Sequence, residues 1–202
     1  MRERRPLPIV GQPQPERADA ARNRQKIIEV AARMVAECGA GDLSLDEVAR
    51  EACVGVGTVY RRFGDRTGLL LALMDERERR FQAAFLSGPP PLGPGAPPGE
   101  RIVAFLHALV DLILANEVLF LLLEKGGTGN RLTGPYQVHH IHLATLLAQA
   151  CPGADTAYLA DALLAPVNAH LICAQRGERG MTVERIKAGL AGLAAAVMRV
   201  TS

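Results

Sequence analysis

The sequence predicts an all-α protein, with an N-terminal three-helix domain followed by a larger helical domain. Three observations carry this expectation. Apolar residues recur at i, i+3, i+4 and i+7 through most of the chain. Helix-start and helix-stop residues bracket those runs. One Pro/Gly-rich stretch then separates a smaller part from a larger one. The length of 202 residues suits such an arrangement, and 49% hydrophobic content is ample for a core.

Residues 1–19 read as a disordered basic arm. Residues 1–26 hold seven Lys and Arg against three acids, although the whole chain is only +2. Pro6, Pro8, Pro13 and Pro15 also oppose regular structure there. The first helix spans about Ala20 to Cys38, with Ile28, Ala31, Ala32 and Val35 on one face and a stop at Gly39. A second begins at Ser44, whose hydroxyl can accept from an orphan N–H, and Glu47 three residues on completes a capping box. Leu45, Val48, Ala49 and Ala52 form its inner face. After Cys53-Val54-Gly55, a third short helix runs to Phe63, with Val59 and Phe63 facing inward. Val56, Gly57, Thr58, Tyr60, Arg61 and Arg62 are left on its outer side.

Small, hydroxyl and guanidinium groups on the outside of a two-turn helix suit a major groove. Arg pairs bidentately with guanine or phosphate, and Thr and Tyr hydroxyls reach phosphate oxygens. Gly57 lets the backbone come close. Asp65 can cap the next helix, and Arg66 stands at its start, where a phosphate could be held. The alternative is a solvated basic face on an ordinary helical hairpin.

Residues 22–70 resemble the DNA-binding domain of the tetracycline-repressor-like (TetR) family of bacterial transcriptional regulators. The likeness rests on the Ile27-to-Gly39 helix, on Leu43-Ser44-Leu45-Asp46-Glu47-Val48-Ala49, and on Gly57-Thr58-Val59-Tyr60 with Phe63-Gly64-Asp65-Arg66. It is specific over about 50 residues and architectural over the rest. The resemblance implies a homodimeric, all-helical repressor with a helix-turn-helix at residues 20–66. It implies phosphate contacts from Ser44, Thr58, Tyr60, Arg62 and Arg66, with Val56, Gly57 and Arg61 near base edges. Two positions depart from the family pattern: Cys53 stands at the turn glycine, and Gly55 replaces the usual Ser cap.

A connecting helix, residues 67–86, begins with Leu69, Leu70, Leu73 and Met74, has a charged middle from Asp75 to Arg80, and ends with Phe81 and Phe85. Residues 87–99 hold six prolines and four glycines and read as a surface loop. Residues 100–202 read as a helical effector-binding and dimerisation domain. Its first apolar stripe runs Ile102, Phe105, Leu106, Leu109, Leu112 and Ile113, followed by Val118 to Leu123. After a break at Gly126 to Pro135, a helix from Tyr136 to Ala150 carries His139, His140 and His142. Those histidines read as a metal site, as polar lining of an apolar pocket, or as ordinary surface groups. Neither zinc spacing nor a HExxH motif is present. A helix from Thr156 to Ala174, kinked at Pro166, places Leu159, Leu163, Val167 and Leu171 along one side. Thr182 caps a last helix with Ile186, Leu190, Leu193 and Val197 at heptad-like spacing. In the resembled family this pair forms a four-helix interface with a second copy, and these eight residues are the expected dimer contacts.

The expectation is a cytoplasmic regulator that binds double-stranded operator DNA as a homodimer and is released by a small apolar effector. Candidate effector-lining residues are Phe81, Phe85, Phe105, Leu109, Phe120, His139, His142 and Asn168. No metal, cofactor or catalytic residue is expected, since no nucleophile–base pair or phosphate loop is present. The alternatives are a His- or metal-dependent enzyme in the C-terminal half, or a DNA-binding dimer without an effector. No signal peptide is read at the start, and His107, Asp111, Asn116 and Glu117 interrupt the apolar window Val103–Leu123, which reads as core and not a membrane span. The four cysteines show no CxxC pair and read as reduced, mostly buried thiols.

Overall fold

The computed structural model describes residues 15–125 and 134–200, and no strand occurs among them. Most of the expected arm and of the break at 126–135 lies outside the described residues. The helices are α1 (Pro15–Cys38), α2 (Leu45–Glu51), α3 (Val56–Phe63), α4 (Arg66–Ser87), α5 (Pro98–Leu114), α6 (Glu117–Lys125), α7 (Pro135–Ala150), α8 (Thr156–Leu164), α9 (Ala169–Gly177) and α10 (Val183–Val200). Helix α1 therefore starts five residues before the expected Ala20, taking residues 15–19 from the arm; Pro15 sits at its first position, where the missing N–H costs nothing.

The chain divides into two compact units, Met1–Glu76 and Arg77–Ser202, so the boundary falls inside α4. In the first unit α1 buries Ile27, Ile28, Ala31 and Met34. This face is turned slightly from the one read off the sequence, leaving Ala32 and Val35 half-buried. Helix α2 buries Leu45, Val48 and Ala49, and an Arg33–Glu51 ion pair ties it to α1. Leu69, Leu70, Leu73 and Met74 on the first half of α4 are also buried.

In the second unit α5 lies among α7, α9 and α10. The core joins Phe85 of α4, Ile102, Phe105 and Leu106 of α5, Leu143, Leu146 and Leu147 of α7, Leu163 of α8, Ile172 of α9 and Leu190 of α10. The Pro/Gly-rich segment is a compact turn in which Gly93 N–H donates to Pro89 O (2.9 Å). A side chain at Gly93 would meet Gly88 O at 1.8 Å, so this crossing requires glycine.

One expected helix is two. The chain bends by 43° at the break 165–168, which contains Pro166, and α8 and α9 are separate helices. Asn168 starts the second piece: its Oδ1 accepts from Leu171 N–H (2.9 Å), and its Nδ2 donates to Ala165 O (3.1 Å). Among the described residues no single helix is long and apolar enough to cross a membrane, although the bent α8–α9 pair reaches that length and composition. Cys151 is buried and Cys173 half-buried, but Cys38 and Cys53 are exposed, contrary to the expectation of mostly buried thiols.

Candidate nucleic-acid interface

The hairpin of α2 and α3 is set by local chemistry. Ser44 Oγ accepts from Glu47 N–H at 3.4 Å, which fixes the start of α2. Its end is a Schellman motif: Val54 N–H reaches Ala49 O (3.0 Å) and Cys53 N–H reaches Arg50 O (3.2 Å). That geometry places Cys53 at φ 55°, the left-handed region where glycine is favoured. Gly55 then caps α3 through its backbone alone, accepting from Thr58 N–H at 2.8 Å.

Helix α3 buries Val59 completely and Phe63 in part, and exposes Val56, Gly57, Tyr60, Arg61 and Arg62. Thr58 is half-buried, as is Ser44, whose hydroxyl is already engaged as a cap. A side chain at Gly57 would meet nothing within 4 Å, so the fold makes no demand for glycine there. Arg62 donates to Ala20 O on α1, and Arg66 donates to Gly41 O. A guanidinium has five N–H donors, so each retains others for an anion. Asp19, Asn23, Thr58, Arg61 and Arg62 line a shallow groove of about 460 Å³ between α1 and α3. Six of the eight sequence-predicted residues thus lie on α3, while Ser44 caps α2 and Arg66 opens α4.

Sequence reasoning missed Gly68. Its N–H donates to Asp65 Oδ1 (2.8 Å), and a side chain at this position would lie 1.9 Å from Phe63 O. Only glycine lets α4 start this close to the end of α3. The spacing of Asp65 three residues before Gly68 was the available signal.

The second unit holds the expected effector residues, and the structure separates them. Phe81, Phe85, Phe105, His139 and His142 form one ring cluster with centroid distances from 4.3 to 6.2 Å. Leu109 is buried in the same core, while Phe120 packs at its margin. Asn168 serves as a helix cap, with both ends of its amide engaged at the α8–α9 break. The three histidines diverge. His139 Nε2 pairs with Glu78 Oε1 at 2.8 Å, and His140 Nε2 meets Ala157 O at 3.0 Å. His142 Nε2 is buried without a partner. Burial raises the Glu78 carboxyl, but the hydrogen bond and charge of His139 together with the Gln82 amide outweigh it and hold it below its ordinary value. Burial, then the charges of Arg101 and His139, push His142 down to about 4. Among the described residues no group of three or more His, Cys, Asp and Glu could hold a metal ion.

Half of the expected dimer contacts are internal. Leu163, Val167, Ile186 and Leu190 are buried in the core of their own unit. Helix α10 buries Ile186, Leu190 and Ala194, a repeat of four and not a heptad seam, and this turns Leu193 outward at 41% exposure. Leu159, Leu171 and Val197 are half-buried.

Residues 27–73 match the family model of bacterial regulatory proteins, tetR family. That segment, from α1 to the first half of α4, is similar to the DNA-binding part of that family's members. A stretch of 69 residues is 35% identical to an HTH-type transcriptional regulator of Staphylococcus aureus (strain bovine RF122 / ET3-1). That alignment covers 34% of this chain and 37% of the relative, so the chain spans about a third of the curated relative's length. A TetR-family transcriptional regulator from Streptomyces coelicolor superposes with TM-score 0.64 at 18% identity, over 90% of this chain and 82% of that one, and shows the shared fold. The TetR transcription regulatory protein from Mycobacterium vanbaalenii is 29% identical with TM-score 0.53, over 87% and 98% of the two chains.

Proposed function

We propose that the protein is a DNA-binding transcriptional regulator that docks α3 in the major groove of a pseudo-palindromic operator. The observation that carries this reading is the outer face of α3, which presents Gly57, Tyr60, Arg61 and Arg62 while Val59 anchors the helix from behind. Arg61 is the base-reading candidate, since it is exposed and not held by a backbone carbonyl as Arg62 and Arg66 are. Thr58, Tyr60, Arg62 and Arg66 serve phosphates.

The regulator acts as a homodimer, so two α3 helices reach half-sites in successive major grooves. Its pairing face is drawn from what the core leaves outside: Tyr158 on α8, and Gly189, Gly192 and Leu193 on α10. Occupancy of the operator blocks transcription, and a small molecule held in the second unit releases it through unequal affinity for the two states. Footprinting of the DNA flanking its own gene across a salt series tests the reading. A protected site of two-fold symmetry with a steep negative salt slope is expected. Binding that is weak and indifferent to sequence refutes it.

A further inference from the structure

The ring cluster contains a polar defect that the core does not explain. Arg101, in the first turn of α5, donates from Nη2 to Phe85 O at 3.1 Å, but its Nε is fully buried and has no acceptor. Among the described residues no carboxylate pairs with it. Glu78, an acid of the same unit, is committed to His139 and Gln82. His142 Nε2 is a second buried atom without a partner. Both groups meet at Phe85: Arg101 holds its carbonyl, and the His142 ring lies 4.3 Å from its ring and 5.1 Å from that of Phe105.

A guanidinium N–H is a permanent donor, and a neutral imidazole can present a second one through its tautomer. The burial and the neighbouring Arg101 charge that depress His142 keep that ring neutral. Unpaired buried donors are costly, and native structures keep them where something else completes them. Two buried groups able to donate, with a net positive charge and no acceptor, one of them packed on the Phe85 and Phe105 rings, complement an oxyanion attached to an apolar body. A cation is repelled by Arg101, and an alcohol would leave its charge unmatched.

We propose that the second unit binds an amphipathic carboxylate, with its head group on Arg101 Nε and His142 Nε2 and its apolar part against Phe85 and Phe105. This deepens the effector reading above and rests on it. The rings are already in contact, so the occupant parts Phe85 from His142 instead of filling an open hole. Phe85 belongs to α4, the helix that begins at Arg66, so occupancy moves the helix that carries it.

The test uses the intact chain in titration calorimetry and thermal-shift assays. The probes are hexanoate, octanoate, decanoate and benzoate, each against the alcohol with the same carbon skeleton. Saturable one-to-one binding of at least one acid is expected, with its alcohol weaker by roughly tenfold or more. Arg101→Gln should lose a similar factor, and Arg101→Lys should fall between, since it keeps the charge without the fork. If Arg101→Gln does not fold by circular dichroism, Arg101→Lys and His142→Phe carry the comparison. Equal binding of acids and alcohols, acid binding undiminished in the variants, or no binding by any acid overturns the proposal. Alcohols that release operator DNA while acids do nothing would leave the effector reading standing without its carboxylate. Acids that bind through Arg101 yet leave operator affinity unchanged would do the reverse.

Discussion

Cys53→Gly should stabilise the first unit, and the size of the gain follows from the turn itself. Cys53 is the left-handed residue of a complete Schellman motif, held by the Val54-to-Ala49 and Cys53-to-Arg50 hydrogen bonds. A non-glycine residue pays roughly 1–2 kcal/mol for this conformation because its Cβ crowds the following carbonyl. Glycine removes that cost but adds freedom to the unfolded chain, worth about 0.4–1 kcal/mol in the other direction. The exposed thiol has little to lose, since its contact with Glu51 O is long at 3.9 Å. The net gain is about 0.5–1 kcal/mol, a few degrees in melting temperature. Urea denaturation followed through helix content would measure it, with Cys53→Ala as the control that removes sulfur but keeps the Cβ. If Cys53→Gly is no more stable than Cys53→Ala, the backbone at this turn is not under the strain inferred here.

Gly57→Ala should be tolerated or slightly stabilising, by up to about 1 kcal/mol, because nothing lies within 4 Å of the added methyl. Its affinity for operator DNA should nonetheless fall, and unchanged affinity in a fluorescence titration would mean that the backbone does not approach the duplex there. Arg62→Ala should lower the negative salt slope of DNA binding by about one and weaken all sequences alike; an unaltered slope would remove it from the phosphate contacts. The depressed imidazole of His142 has a directional consequence. Its folded value of about 4 lies below the ordinary 6.5, so the unfolded chain binds the extra proton between those limits. Stability is complete above pH 6.5 and declines as pH falls toward 4, by at most about 1.4 kcal/mol per unit from this group. His142→Phe should flatten that limb, and a parallel pH profile for the variant would contradict it. Leu163→Ala should cost about 2–5 kcal/mol of folding stability as a core cavity, and Leu193→Glu should cost little stability but weaken self-association in sedimentation. The reverse pattern would restore the dimer contacts read from the sequence.

What the sequence made legible was what short-range chemistry determines. The Ser44 cap, the inward Val59, the Asp65 cap and the outward arginines all follow from residues within a few positions of one another. The last helices failed for the opposite reason. Ile186, Leu190, Leu193 and Val197 fit a heptad on paper, but α10 turns toward α5 and buries Ala194, a residue too small to register in an apolar count. Periodicity shows that a face is apolar, and it does not say whether the cover comes from the same chain or another. The capping role of Asn168 had its signal in the sequence, since Asn is among the residues preferred at a helix start. Glu78 could not have been found as the partner of His139, which stands 61 residues away.

The tethering of Arg62 to Ala20 O and of Arg66 to Gly41 O has a thermodynamic corollary. A free arginine side chain carries about 2 kcal/mol of rotamer entropy, which an arriving anion must ordinarily quench. Here each guanidinium already holds a backbone carbonyl, so part of that ordering is completed during folding. Association through these two residues should therefore show a smaller entropic penalty than association through Arg61, whose side chain must still choose its rotamer.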